Sequence, residues 1–261
     1  MADEELSFGG AISKAEALDK INSALIFGES GMGKTVFAAS AIEIEDYSPV
    51  LIVDVEGSTA GVGRIHPDVD VISAPTHAHL EAIKDELLTK QHKYKTVIID
   101  TFNVAQNRAE KFFRAKPENA NNKFGVWGDL KDWSINFARD LHHAPFLAIL
   151  VAHTQTDKDE NTGRMLTTVK LAGSSKQDMP AIFDVIGYMD AAENEEGDTI
   201  SILRVSKTSG IVTKNRFGVE GVIEPAEGKR YPTMVDLQMQ IILANPSLEK
   251  EEEEEELDLL D

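Results

Sequence analysis

A lysine and a hydroxyl residue close a glycine turn at Gly28-Glu29-Ser30-Gly31-Met32-Gly33-Lys34-Thr35. The spacing G-x-x-x-x-G-K-[ST] is that of a phosphate-cradling P-loop. Its glycines let the backbone wrap a phosphate chain with N–H groups pointing inward, and the helix that follows adds partial positive charge at its N-terminus. Lys34 is placed to reach the outer phosphates, and Thr35 can offer its hydroxyl to a magnesium ion. The expected ligand is ATP or another nucleoside triphosphate, carried with Mg2+. The bland alternative is a glycine turn that binds nothing. The lysine, the hydroxyl and the apolar run Ala24-Leu25-Ile26-Phe27 just ahead of the turn together weigh against it.

Carboxylates are the second chemical resource. Thr96-Val97-Ile98-Ile99-Asp100-Thr101 is an apolar run ending in an aspartate. It fits the pattern in which a rigid strand holds a carboxylate against the magnesium shell. Asp100 could instead only cap the following helix. Val50-Leu51-Ile52-Val53-Asp54 is a similar run and leads into Val55-Glu56-Gly57-Ser58. Glu56 is the preferred catalytic group here, with Asp54 as a cap or an orienting group. Phe146 to Ala152 forms a third run, delivering His153, Thr154 and Gln155 to the same edge. Ligands of open α/β sheets sit at the C-terminal ends of strands, which is where all these residues fall.

The elements that must position these groups can be read from periodicity. Val69 to Ile72 is a further strand candidate, and Thr76 should cap a helix with Leu80, Ile83 and Leu87 on its apolar face. Helices are expected from Val36 to Ile42, from Val104 to Ala115, and around Leu130, Trp133, Phe137 and Leu141. The aromatics of the last have helical spacing, so they read as core rather than as base-stacking platforms. Strands follow at Val185 to Met189 and Thr199 to Val205. Asp157 to Lys176 is polar and poorly periodic, and is expected to be a long loop of the functional or mobile kind. The chain closes with Val235 to Leu243, Pro246 and an acidic tail.

Composition sets the outer limits. The chain has 261 residues and is 42% hydrophobic, enough for one large α/β domain with a sizeable core. It has no cysteine, which excludes disulfides and thiolate metal sites. The seven histidines make no zinc pattern, and His77 and His79 should face different ways on their helix. No Ser/His/Asp nucleophile set can be argued from spacing. The start lacks a basic and apolar leader, and no run approaches the length of a membrane span, so a soluble cytoplasmic protein is expected. Net charge is −19, of which −8 falls between Glu249 and Asp261. That balance argues against a broad nucleic-acid-binding surface but leaves room for a local basic groove.

The glycine loop, the strand ending Asp54-x-Glu56, the strand ending Asp100, the strand ending His153-Thr154-Gln155 and the turn Lys214-Asn215-Arg216-Phe217-Gly218 come in the order of RecA-like ATPases. The chain resembles the phage-encoded nucleotide-binding proteins of that class, some known as RecA-like single-strand annealing proteins, from about Ser23 to Glu224. The resemblance implies a RecA-like P-loop NTPase fold, α/β with a mostly parallel central sheet flanked by helices. It divides the chain into a lead-in (1–20), an ATPase domain (21–246) and an acidic tail (247–261). It also implies that Glu56 polarises the attacking water. The Lys214–Gly218 turn is similar to one in bacterial RadA, and hexameric DnaB helicases carry a related Lys-x-Arg. In that wider class such cations reach the γ-phosphate of a neighbouring subunit, which implies a homo-oligomer, ring or filament. His153 matches the RadA sensor strand by position, whereas Gln155 is nearer the RecA and DnaB habit, so the sensor is one of the two. The chain departs from RecA itself: it is shorter, is expected to lack RecA's large flanking domains, and is more acidic than a filament wrapped around DNA would suggest.

The function this implies is Mg-dependent ATP hydrolysis coupled to single-stranded DNA in phage recombination or replication. Lys170 and Lys176 are the candidate DNA contacts, since RecA-like proteins place a DNA loop after the sensor strand. The alternative is a nucleotide-dependent loader that binds a protein and no DNA. A small-molecule kinase is weaker, because no arginine-rich lid is present. The tail, with six consecutive glutamates and three leucines after them, is expected to be disordered. It reads as a solvating appendage, a mimic of DNA, or a docking peptide like those of single-strand-binding proteins, which would make such a protein a partner.

Overall fold

The computed structural model describes residues 20–57, 59–158 and 163–245. The lead-in up to residue 19 and the acidic tail lie outside the described residues. Among the described residues ten strands form in chain order: β1 (Ser23–Gly28), β2 (Val50–Asp54), β3 (Asp70–Ser73), β4 (Thr96–Asp100), β5 (Leu147–Lys158), β6 (Met165–Val169), β7 (Val185–Glu193), β8 (Thr199–Arg204), β9 (Lys214–Asn215) and β10 (Val222–Ile223). The main sheet runs β10-β8-β7-β1-β5-β4-β2-β3, with β6 paired to β5 and β9 to β7. The six strands from β7 to β3 are mutually parallel, and β8 returns antiparallel along β7. This is the mostly parallel α/β sheet that the apolar runs led us to expect.

Those runs are apolar at every position because helices cover both faces of the sheet. Among the described residues six α-helices form in chain order: α1 (Lys34–Ala39), α2 (His77–Thr89), α3 (Phe102–Arg114), α4 (Lys123–His142), α5 (Ser175–Asp178) and α6 (Met234–Ala244). Ala24 and Ile26 of β1 join one core with Phe37, Ala38, Leu237 and Ile241, from α1 and α6. Leu25 and Phe27 join the opposite core with Leu80, Phe102 and Phe137, from α2, α3 and α4. Thr76 caps α2 as expected, accepting the His79 N–H at 3.2 Å. The two α4 aromatics with helical spacing are core, whereas Phe124 and Trp127 of the same helix are exposed: Phe137 is buried, and Trp133 stacks on Phe102 at 5.8 Å while donating to Glu81. His77 is buried among Phe112, Phe113 and Trp133, whereas His79 turns back to Thr76. Among the described residues no helix is long and apolar enough to cross a membrane.

Two expectations need correction. The first helix does not reach Ile42: α1 ends at Ala39 and continues as a tighter turn, Ser40–Glu43. The Ser40 hydroxyl donates to the Phe37 carbonyl at 2.6 Å and accepts the Met234 N–H at 2.7 Å, so this residue ties the end of α1 to the start of α6. The second correction is larger. Asp157 to Lys176 is not a long loop. β5 continues to Lys158 and pairs antiparallel with β6, Thr154 opposite Val169 and Lys158 opposite Met165. Thr154, Thr156, Thr167 and Thr168 give the strands their β-branched character while reading as polar. Val169 and Leu171 are buried beneath them. A pair of strands satisfies its backbone across the ladder, so it can form without a helical or alternating apolar signal.

At the N-terminal end of β1 sits a second organising group. Asp184 is fully buried and accepts from the backbone N–H groups of Asn22 (3.0 Å) and Ser23 (3.1 Å) and from the Arg216 guanidinium (2.9 Å). Lys214 donates to the carbonyls of Phe183 (2.8 Å) and Ala181 (3.1 Å). Asp184→Ala strands the Arg216 charge and two backbone donors, so we expect a loss of about 3 kcal/mol of stability. Urea unfolding checks this, and an unchanged midpoint would show that the cluster adds nothing to the fold.

Candidate nucleotide site

Strand register brings the candidate groups to one edge. Gly28, the last residue of β1, lies opposite His153 of β5 on one side and Met189 of β7 on the other. Asp54 of β2 lies opposite Asp100 of β4, and Asp100 opposite Val151 of β5. The chain leaves β1 for β2, which is three places away, and later places β7 at β1's other side. Such a switch point opens a crevice at the strand C-termini. The glycine loop fills its floor. Gly31 and Gly33 have φ of 85° and 83°, the left-handed values a phosphate-wrapping backbone needs.

The cleft holds about 290 Å³ and is lined by Ser30, Gly31, Lys34, Thr35, Glu56, Asp100, Thr101, His153 and Tyr231, among others. Glu29 and Met32 complete the loop. The Lys34 ammonium folds back on it, donating to the Glu29 carbonyl at 2.7 Å. Burial holds Lys34 below the ordinary ammonium value, opposed by the carboxylates of Asp100, Glu56 and Glu29. The Thr35 hydroxyl donates to Asp100 Oδ2 at 2.9 Å. The other Asp100 oxygen, Oδ1, is buried and has no hydrogen-bond partner.

Asp100 is only 1% exposed. Burial, reinforced by the neighbouring Glu56 and Asp54 charges, pushes its carboxyl up to about 6, against the pull of Thr35 and Lys34. An unpartnered buried acceptor beside a threonine hydroxyl is chemically suited to a hard cation or a water in its shell. The glycine turn beside it is suited to the phosphates. The residues present therefore fit a magnesium nucleotide.

Glu56 is set beside Asp100 by the backbone, since the N–H groups of Val55 and Glu56 donate to the Asp100 carbonyl at 2.7 and 3.2 Å. Its Oε2 accepts from Thr101 at 3.0 Å, and its Oε1 lies 3.4 Å from His153 Nε2. Asp54 is turned away from the cleft. One oxygen caps the Gly57 N–H at 2.6 Å and the other accepts from Thr59 at 3.0 Å. Of the two sensor candidates, His153 lines the cleft. Gln155 points along its own strand and donates to Asp157 at 2.7 Å. Lys176 pairs with that same Asp157 at 3.1 Å, and Lys170 stands exposed where β6 ends. Lys214 and Arg216 are not in this cleft. Lys214 lies opposite Ile186 of β7, itself opposite Leu25, toward the far end of β1 from Gly28.

Thr101, Gly61, Val62 and Tyr231 line the cleft without having been singled out from sequence. Thr101 had a weak signal, a hydroxyl directly after the aspartate that ends β4. Tyr231 had none, because it lies remote in sequence and is placed by its segment's anchors to β8 and to the end of α1. A larger groove of about 490 Å³ lies along the edge strand β3. Its lining includes Glu86 and Leu87 of the last turn of α2, the partly negative end of a helix, which does not favour phosphates.

A glycine-rich loop between a central parallel strand and a helix, facing carboxylates on neighbouring strand ends, defines a P-loop nucleotide-binding domain. The chain belongs to the AAA domain family, whose model matches residues 20–217. No curated protein matches it.

The Asp100 shift has a stability consequence. The folded chain binds this proton more tightly than the unfolded one, so stability falls as pH rises from about 4 to about 6, and the full cost stands above that. A shift of this size corresponds to roughly 3 kcal/mol. Asp100→Asn should therefore raise the stability of the ligand-free protein at pH 8 by about 2–3 kcal/mol, with the gain shrinking toward pH 4. Urea titrations at both pH values measure it, and a variant no more stable at pH 8 would mean the buried carboxylate carries no such cost.

Proposed function

We propose that this protein is a Mg-dependent ATPase of the RecA-like kind that acts on single-stranded DNA in phage recombination or replication, within the host cytoplasm. The observation that carries the hydrolytic reading is Glu56, held over the glycine loop by Thr101 and beside His153. Bound magnesium would supply charge neutralisation at the phosphates. Thr35 and Asp100 would hold that ion. Lys34 and the loop N–H groups would bind and orient the phosphate chain. Glu56 would take the proton of the attacking water, and His153 would report the state of the site to β5. Phosphoryl transfer needs positioned charge more than covalent chemistry, which suits this inventory.

The DNA reading rests on β5. The strand that carries His153 runs on without a break into the β5–β6 hairpin, whose surroundings include Lys158, Arg164, Lys170 and Lys176. A ligand that grips the hairpin would pull on the strand beside Glu56. The loader reading draws on a different observation: the chain carries a net −19, and Lys176 is already paired with Asp157. Lys214 and Arg216, remote from their own chain's cleft, would act only on a neighbour's, which requires a homo-oligomer.

Glu56→Gln should keep ATP affinity and lower kcat on the order of a hundredfold or more. Lys34→Ala should lose nucleotide binding while the fold survives. Steady-state turnover with titration calorimetry checks both, and unchanged hydrolysis in Glu56→Gln would move the general base elsewhere. Replacing Lys170 and Lys176 with alanine should weaken single-stranded DNA binding and flatten its salt dependence. Retained affinity with the same salt slope, or no DNA binding by the wild type, would favour the protein-loader reading. Mixing Arg216→Ala with Glu56→Gln should restore part of the turnover, because mixed interfaces pair an intact glutamate with an intact cation. Activity that is merely additive would rule out completion in trans.

A further inference from the structure

Tyr231 closes one side of the cleft, and nothing in the hydrolytic machinery accounts for it. Its ring lies so close to Gly33 that a Cβ there would fall 2.2 Å from Tyr231 Cδ1 and 2.6 Å from Cε1. Glycine at this position thus serves two needs, a left-handed backbone and room for a ring. The tyrosine falls beyond residues 20–217, the part of the chain that the family model matches.

The segment that carries it is pinned on both sides. The Arg230 carbonyl accepts from the Ser201 N–H of β8 at 2.9 Å. Thr233 caps α6 in a reciprocal arrangement with Asp236, and the Met234 N–H donates to Ser40 at the end of α1. These anchors hold the ring without using its hydroxyl. Rigid placement of a part-buried aromatic beside a ligand cleft costs conformational freedom, and that cost is best offset by something the ring touches.

The two sides of the cleft differ in chemistry. Glu56, Asp100, Thr101 and His153 come from the ends of β2, β4 and β5. Tyr231 is anchored to β8, which lies beyond β7 on the other side of β1. A triphosphate whose outer end meets the carboxylate side must direct its nucleoside away from that side. Among the described residues lining the cleft, the rings are those of Tyr231 and His153; His153 faces Glu56 on the carboxylate side, and the Arg230 guanidinium lies 5.7 Å from the Tyr231 ring centre. The geometry points to Tyr231 as the platform on which the nucleobase stacks, with Arg230 supporting the ring from the same segment. The assignment rests on the nucleotide reading above and adds the residue that grips the base. Stacking needs only a π-face, so the platform favours nucleotides over bare polyphosphates more than it favours adenine over guanine.

The competing role is mechanical: a wedge that only keeps the glycine loop in shape. Binding of Mg-ATP and of Mg-tripolyphosphate, measured by calorimetry on the full chain, separates the two. Tyr231→Ala and Tyr231→Leu should each weaken ATP about tenfold or more while leaving tripolyphosphate within about twofold, and Tyr231→Phe should behave as wild type. Thermal melts confirm that each variant is folded. Leucine keeps bulk against Gly33 without a π-face, so ATP affinity retained in Tyr231→Leu overturns the platform. Equal losses for ATP and tripolyphosphate overturn it as well, in favour of the wedge. A wild-type chain that binds tripolyphosphate and ATP equally well also overturns it while leaving the phosphate site intact. A wild-type chain that binds neither overturns the nucleotide reading itself.

Discussion

Asp100 is a carboxylate taken out of water with half of its hydrogen-bonding capacity unmet. One oxygen accepts from Thr35; the other is buried with no donor. Desolvating a charge in this way is costly, and the neighbouring Glu56 and Asp54 carboxylates raise the cost further. The fold tolerates it because β4 is locked between β2 and β5, with Val97, Ile98 and Ile99 buried on its two faces. The strain is electrostatic, and it stands where a cation would relieve it. Stability given up at a binding site in this way is a common exchange between folding and function.

Around that carboxylate, each neighbour is fixed by a contact outside the site. Glu56 is placed by two N–H groups that donate to the Asp100 carbonyl, and Asp54 is consumed in capping the turn that carries Glu56. The two acids of the Asp54-x-Glu56 segment therefore divide the work: one shapes the turn, and the other faces the cleft. His153 is held through its own N–H by Asn103 of α3 at 3.0 Å. Because β5 passes from this contact directly into its pairing with β6, the edge of the site and that strand pair are one continuous piece of backbone.

β1 carries a polar anchor at each end, and the two differ in kind. At its C-terminal end the glycine loop presents donors to a ligand. At its N-terminal end Asp184 collects backbone donors and Arg216 into a cluster that belongs to the protein alone. Lys214 is held there by carbonyls, and burial lowers its affinity for a proton, with the Arg216 charge adding to the effect. In the described chain these two cations have a structural occupation. Any role at a neighbouring site would draw on groups that also secure the start of the central strand.

The sequence by itself determined the parts of this protein whose chemistry is local. The glycine loop, the apolar strands ending in Asp54 and Asp100, the Thr76 cap and the packing face of α4 are written in neighbouring residues, because backbone conformation, capping and burial periodicity act over a few positions. Which of Asp54 and Glu56, and which of His153 and Gln155, lines the cleft was not local. It was decided by which side chain the strand register turned into the cleft and which it gave to a turn or a hairpin partner. The β5–β6 hairpin was misread as a loop because its threonines are polar by composition and strand-forming by shape, and only a partner strand reveals the second property. Tyr231 was beyond reach for the same reason in stronger form: its position depends on Ser40, Ser201 and Gly33, residues that only the folding of the whole chain brings together.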